Sequence, residues 1–300
     1  MRLDEYKNVS DKVYNFSHFL YRKIIEESSK TQKMKSKINQ CIFTENSFTL
    51  SKTNTPNWIF ENIDTLSVAY VLYFTNSLEA YNYLVRTVGS DANSEADYEA
   101  RTLKIVSGYI GGYPSPDFLS TICHEVNHLF EYDKGREIQV GLYEKVKEML
   151  TDEDENRQIV AKALYYTFAH ERDAFVHQFY GFLCQEKPLH LSFEELLKYS
   201  EYKNAKIFCN YIVNNKDNKE LIKQINKLGF NRRAFINRLQ TNLKKMKHKM
   251  YNCYNRFKNE QTNLSEGRIH RILKEEIARF DEQKTFNEEI KWGIESIYQF

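Results

Sequence analysis

The chain has 300 residues, with 43 Lys and Arg against 41 Asp and Glu and a formal net charge of +2. That length allows one large or two modest domains with ample core, and no stretch approaches the roughly 18 consecutive apolar residues of a membrane span. Only 10 glycines and 4 prolines are present, which favours long helices and argues against disordered or repeat proteins.

The cysteines and the first residues of the chain indicate the cellular compartment. The five cysteines are an odd number, and they are scattered along the chain without paired spacing. This pattern indicates reduced thiols and not a disulfide framework. Residues 1–5 open no secretory signal peptide. We therefore expect a cytoplasmic protein with no membrane span.

The first half of the chain predicts a helix followed by strands. A helix-like lead runs from about Leu3 to Lys37. The segments Leu66–Phe74 and Thr102–Ile110 are rich in β-branched and apolar residues, and a weaker strand covers Cys41–Leu50. Helical patterns follow these strands. The order predicts an α+β fold with a small mixed sheet.

The most informative feature is the sequence His-Glu-x-x-His at residues 124–128. Two histidines four residues apart lie one turn apart on a helix, so both imidazoles leave the same face. Zinc needs nitrogen ligands clustered at about 2.0–2.1 Å, and a helix holds such a pair rigidly. Glu125 follows the first histidine, where it can reach water on the metal without binding the metal. The motif predicts a zinc (Zn2+) site with His124 and His128 as ligands and Glu125 as the catalytic general base.

Residues on both sides of the motif favour a helix there. Ile122 and Leu129 are apolar, as expected on a buried face. Ser115 followed by Pro116 predicts the cap and the first turn. Gly135 predicts the end of the helix.

Residues 121–130 resemble the zinc-binding helix of the zincin superfamily of metallopeptidases. The metzincin branch would continue with a glycine and a third histidine, but Glu131 and Lys134 hold those places. The resemblance is therefore to the gluzincins, in which a glutamate on a later helix is the third zinc ligand. It implies a zinc metallopeptidase that acts on a peptide or protein substrate.

The candidate for the third ligand is Glu171. An apolar stripe recurs at three- and four-residue steps from residue 161 to residue 182 and predicts the core face of one long helix. At about 100° per residue, Glu171 lies roughly 50° from the centre of this stripe. An acid on such a core-facing position is costly unless it is paired or bound to metal. The sequence Glu-x-x-Ala at 171–174 also resembles the third-ligand helix of several gluzincins. His170, Asp173 and His177 lie roughly 150° or more from the stripe and are expected on a solvated or partner-facing polar face. Asp173 and His177 remain the alternative ligands. The stripe consists of Ala161, Leu164, Phe168, Phe175, Phe179 and Phe182.

The resemblance implies two further features of the site. Zincins present substrate along the edge strand that precedes the motif helix, and Thr102–Ile110 would be that strand. Many zincins also add a tyrosine or histidine donor for the developing oxyanion. Tyr165 and Tyr166 are candidates for this donor, although the chain has 21 tyrosines.

The C-terminal part of the chain reads as helical and basic. We place a boundary near Lys187, with a zincin-like domain at 1–187 and a helical domain at 188–300. Ser192 with Glu195 predicts a capping box, and Gly229 followed by Asn231 predicts a helix end and a new cap. Residues 201–260 hold fifteen Lys and Arg against four Asp and Glu, a local net charge of +11. A solvated helical face explains this charge, and an anionic partner or nucleic acid is the alternative.

Three functional hypotheses follow. The first is a gluzincin-type metallopeptidase that hydrolyses peptide bonds with zinc-activated water and Glu125 as general base. The second is a structural or interaction protein on a zincin scaffold, such as a phage assembly protein or a virion component. Zincin-like proteins of this kind occur in gut bacteria and their phages, whose composition is similar. The third is a nucleic-acid-associated protein that acts through residues 201–260. Glu125 favours the first over the second, because a structural site needs no base.

Overall fold

The computed structural model describes residues 11–30, 36–38, 41–51, 65–75, 77, 79, 94–97, 99–110, 113–132 and 140–262. These residues form a small mixed sheet and nine α-helices, which confirms the α+β prediction. None of these helices combines the length and apolar character that a membrane crossing requires.

The elements follow one another along the chain with the strands first. The strands are β1 (Ser36–Ile38), β2 (Cys41–Ser51), β3 (Thr65–Thr75), β4 (Glu95–Asp97), β5 (Thr102–Ile110) and β6 (Tyr113–Pro114). The helices are α1 (Asp11–Lys30), α2 (Phe118–Tyr132), α3 (Val140–Leu150), α4 (Glu155–Tyr165), α5 (Ala169–Glu186), α6 (Phe193–Leu196), α7 (Glu201–Asn214), α8 (Lys219–Lys227) and α9 (Arg232–Thr262).

The chain divides into two compact units. One takes in residues within 15–126 and 257–300, and the other takes in residues within 1–14 and 127–256. The division falls inside α2, which is one continuous helix from Phe118 to Tyr132. Neither unit ends near Lys187.

The sheet belongs to the first unit and has the order β1-β2-β3-β5-β4, with β6 also paired to β5. β2 and β3 are antiparallel, whereas β3 and β5 are parallel. Side chains of β3 alternate between exposed and buried from Thr65 to Tyr70, because successive residues of a strand point to opposite faces. The three strands predicted from the sequence are therefore confirmed within one or two residues at each end.

The outer edge of β5 is not open to a substrate, contrary to the expectation from the resemblance. β4 pairs with Thr102–Lys104, and β6 pairs with Tyr109 and Ile110. Between them, the Ser94 hydroxyl bonds the amide and the carbonyl of Val106, at 2.9 and 3.4 Å. The Gly108 carbonyl accepts from the Ser115 amide at 2.7 Å. The chain itself thus bonds this edge along the length of the strand.

Five helices of the second unit share one hydrophobic core. It joins α3 and α4 to α7, α8 and α9, so residues from both sides of Lys187 pack together. The separation of residues 188–300 as a domain of their own stays a prediction. The most deeply buried members include Val146, Val160, Leu164, Ile212, Leu221, Phe235 and Leu239.

Local signals for the helix ends are confirmed at three places. Ser192 and Glu195 form the predicted capping box at α6. Gly229 has a φ of +82°, a left-handed conformation that favours glycine, and the Asn231 side chain accepts from the Ala234 amide at the start of α9. The predicted helix end at Gly135 and the outer parts of the predicted helix Leu3–Lys37 lie outside the described residues.

The predicted long helix through residues 161–182 is wrong, because it is two helices. α4 ends at Tyr165 and α5 begins at Ala169. Phe168 between them has an extended backbone with ψ of 145°. The Thr167 hydroxyl bonds the carbonyls of Ala163 and Leu164, both at 3.0 Å. A side chain that satisfies these carbonyls stabilises the end of α4 without a further helical turn.

The start of the motif helix also differs from the prediction. α2 begins at Phe118, and Ser115 lies in the turn before it. The Ser115 hydroxyl contacts the Ser107 hydroxyl at 3.0 Å in a buried position. The serine therefore connects the turn to β5.

We predict that Leu239→Ala lowers the free energy of unfolding by about 2–5 kcal/mol, because it opens a cavity in a fully buried cluster. Leu239 is buried among side chains of the core that α9 shares with α4. Urea unfolding followed by circular dichroism measures the change. Leu189→Ala is the control, since Leu189 is exposed and its truncation should change stability by no more than about 0.5 kcal/mol. Equal effects of the two changes would contradict the shared core.

Candidate metal centre

Helix α2 presents the two motif histidines. Its apolar residues Ile122, Val126 and Leu129 are buried, which fixes the rotation of the helix about its axis. His124 and His128 are partly buried one turn apart. Burial of the apolar face therefore sets where the imidazoles point.

Helix α5 supplies the third predicted ligand. One ligand atom from each of His124, His128 and Glu171 lies within 4.8 Å of the other two. Glu171 is 1 % exposed. This group could hold a metal ion. That it binds zinc, as the sequence predicts, stays a prediction.

The two oxygens of the Glu171 carboxylate face different partners. Oε1 accepts a hydrogen bond from the Tyr143 hydroxyl at 2.8 Å and lies 3.5 Å from Nε2 of His170. Oε2 lies 3.7 Å from Nε2 of His128. The hydrogen bond from Tyr143 restricts rotation of the carboxylate and leaves Oε2 directed to the motif helix.

The donor set and its spacing fit a zinc ion. Two imidazoles and one carboxylate are a common protein ligand set for catalytic zinc. Two atoms bound to a tetrahedral zinc at about 2.0–2.1 Å lie about 3.4 Å apart, close to the 3.7 Å between His128 Nε2 and Glu171 Oε2. A buried carboxylate also needs a compensating charge or several hydrogen bonds. A divalent cation at this position would compensate the charge of Glu171.

Tyr143 from α3 is the residue of this centre that the sequence did not indicate. Its ring packs in a T-shaped arrangement against the His170 ring, with centroids 4.7 Å apart, and against the Phe168 ring, with centroids 5.6 Å apart. Lys147, one turn later on α3, lies 4.9 Å from the ring centroid. These contacts fix the ring whose hydroxyl bonds Glu171. Nothing in a chain with 21 tyrosines distinguishes this one by spacing.

Of the two predicted settings, the solvated face is wrong for Asp173 and His177, which are buried. Asp173 Oδ1 lies 2.6 Å from Nζ of Lys249 on α9 and 3.1 Å from Nε of Arg172. Nδ1 of His177 contacts the Asp173 carbonyl at 2.8 Å. Both alternative ligands therefore take part in a network that joins α5 to α9, and the metal group contains neither.

Tyr165 and Tyr166, the candidate oxyanion donors, occupy different surroundings. The Tyr165 ring stacks on the Tyr143 ring with centroids 6.4 Å apart. Burial, with the charge and hydrogen bond of Glu201, raises the pKa of Tyr166 well above its ordinary value. The Tyr166 phenol thus keeps its proton and contacts Glu201. Their role as oxyanion donors stays a prediction.

Comparisons with known proteins add no relative to these observations. No protein-family model, curated protein or solved structure matches the chain. The resemblance to zincins rests on the motif residues and on the metal group alone.

We predict that Glu171→Ala lowers zinc content from about one ion per chain to well below half, because it removes the one anionic ligand. Elemental analysis of protein purified without an affinity tag measures this. Glu186→Ala is the matched control on the same helix, and it should leave the zinc content unchanged. Unchanged zinc in Glu171→Ala would move the third ligand to Asp173 or His177.

Tyr143→Phe should weaken zinc binding about 10- to 100-fold, the range found when a partner of a ligand is removed. The ring and its packing remain, and only the hydroxyl that bonds Glu171 is lost. Competition with a chromophoric chelator gives the dissociation constant. Tyr165→Phe removes a hydroxyl from the neighbouring stacked ring and serves as control. If both changes weakened binding equally, the hydrogen bond to Glu171 would not be the cause.

Proposed function

We propose that the protein is a zinc metallopeptidase of the gluzincin type that hydrolyses peptide bonds, with Glu125 as general base. The observation that carries the proposal is the group of His124, His128 and Glu171, whose ligand atoms lie within 4.8 Å of one another. Glu125 immediately follows the first of these residues. Two histidines and a distant glutamate with an adjacent second carboxylate are the set that metal-assisted hydrolysis needs.

Each residue of the site has a separate role in the proposed hydrolysis. His124, His128 and Glu171 would hold the zinc, and Tyr143 orients the carboxylate of Glu171. Zinc held there would lower the pKa of water to about 7 and act as a Lewis acid. Glu125 accepts a proton from the attacking water at its carboxylate and delivers it to the amine of the leaving group. Its side chain is largely buried, so bulk water does not compete freely for this proton.

Pairing of the substrate along β5 is not part of this mechanism. The outer backbone groups of β5 already bond to β4, Ser94, Ser115 and β6. Peptide recognition must then use contacts other than strand addition to β5.

The alternative is a structural protein on a zincin scaffold, such as a phage assembly protein, in which the metal serves folding. This alternative shares the ligands with the peptidase and differs in Glu125. A folding site has no use for a carboxylate that accepts a proton. The two functions are therefore separated by a change that keeps zinc and removes the base.

Wild type and Glu125→Gln are first compared for zinc content, which should be near one ion per chain in both. A mixture of peptides of diverse sequence is then incubated with each and analysed by mass spectrometry. We expect cleavage by wild type and a loss of at least about 10²-fold in Glu125→Gln, the typical contribution of a general base. Chelation should abolish cleavage, and added zinc should restore it.

Two results would overturn the proposal. Zinc near zero in wild type, and still zero after zinc addition, would remove the metal centre. Full zinc content with equal peptide products from wild type and Glu125→Gln would leave the centre in place and assign it to folding.

A further inference from the structure

A groove of about 520 Å³ runs beside α9 in the helical unit. Aromatic and cationic side chains share its walls. Phe193 and Tyr202 are buried, whereas Tyr251 is 46 % exposed and its ring meets Phe193 edge-on at 5.2 Å. The Tyr251 side chain is thus partly accessible and packed against Phe193. The side chains that matter here are Phe193, Tyr202, Lys244, Lys247, His248 and Tyr251.

The cationic wall of the groove is one stripe of α9. Gln240, Lys244, Lys247, His248 and Tyr251 all line the groove, and at 3.6 residues per turn they fall within an arc of about 100°. The stripe is about 16 Å long at about 1.5 Å per residue. Lys244, Lys247 and His248 therefore follow one another along the groove, and the partly exposed ring of Tyr251 lies at the end of this stripe.

Part of this charge is available to a ligand. Among the described residues, Lys244 forms no ion pair, and the His248 ring hydrogen-bonds the Asn252 amide at 3.4 Å. Lys247 pairs with Glu194 at 2.8 Å, and that hydrogen bond raises the pKa of Lys247, which stays charged. Glu194 also lines the groove. A polyanion would gain from the charge of Lys244 and from a hydrogen bond with the His248 ring, and it would be repelled by Glu194.

We propose that this groove binds a single-stranded nucleic acid, with phosphates along Lys244, Lys247 and His248 and a base stacked on Tyr251. A positively charged groove combined with an accessible aromatic ring is the arrangement that sequence-tolerant single-strand binders use. The residues 201–260 that surround it carry a net charge of +11, which attracts a polyanion from solution. An acidic peptide would use the cations without the ring, and a membrane surface would need exposed aliphatic side chains beside them.

The first experiment separates a groove from general surface charge. A fluorescein-labelled twelve-residue oligo-dT is titrated with the full-length protein, and binding is followed by anisotropy at several salt concentrations. Lys244→Gln should raise the dissociation constant several-fold and reduce the slope of log K against log salt by about 1. Lys245→Gln removes the same charge from the adjacent residue, which does not line the groove, and should change little. Equal losses in both variants would overturn the proposal.

The second experiment tests the ring of Tyr251 and the negative charge of Glu194. Tyr251→Ala should weaken binding about 5- to 100-fold through loss of stacking, and Tyr251→Phe should retain it. Tyr199→Ala is the control, because Tyr199 is 70 % exposed but lies outside the groove. Glu194→Gln should strengthen binding, opposite in sign to Lys244→Gln. If Glu194→Gln weakened binding, the assigned electrostatics would be wrong.

Two further probes decide between occupants. Heparin fragments carry anions without bases, and vesicles of phosphatidylserine with phosphatidylcholine present anionic lipid. We expect Tyr251→Ala to weaken oligo-dT binding while heparin binding stays unchanged, and the vesicles to compete poorly for the groove. Equal sensitivity of heparin and oligo-dT to Tyr251→Ala, or tighter binding to the vesicles, would refute a nucleic-acid site.

Discussion

The burial of the Glu171 carboxylate is the constraint on which the centre depends. A charge removed from water is unstable unless other groups compensate for it. Tyr143 from α3 compensates one oxygen by a hydrogen bond, and His128 from α2 faces the other. Three helices therefore have to meet with fixed rotations for one carboxylate to be accommodated. The same arrangement leaves room for a divalent cation. The proposed metal would therefore lie where the buried carboxylate needs a compensating charge.

Helix α9 shows how a basic helix can serve different purposes on different faces. Met246 and Met250 are fully buried in the core. Lys249 reaches Asp173, two residues after Glu171, and Asn242 reaches Arg172. Removal of one partner from such a partly buried pair leaves an uncompensated charge, so α9 holds the helix that carries Glu171, the predicted third ligand. Lys245 faces solvent, and Lys244 and Lys247 line the groove. The local charge of this region thus has a structural part and a part open to partners.

The sequence predicted the parts of the structure that depend on local patterns. The histidines of α2, the strand at Thr102–Ile110 and the capping box at Ser192 follow from spacing and residue type, which short segments determine. The break at Thr167 and Phe168 was missed because the apolar spacing continues across it. Tyr143 was missed because its partner lies 28 residues away, and no periodicity relates residues of different helices. The burial of Asp173 was missed because its partner Lys249 comes from a distant helix.

The covering of β5 by Ser94 has a consequence for the behaviour of the protein in concentrated solution. An unpaired strand edge is a template on which strands of other molecules can add, and natural sheets protect such edges. Here one hydroxyl bonds both the amide and the carbonyl of Val106, in the interval between the short strands β4 and β6. A single serine side chain thereby takes the place of a strand residue. Strand addition from another molecule is thereby prevented at Val106, with one side chain in place of a longer edge strand.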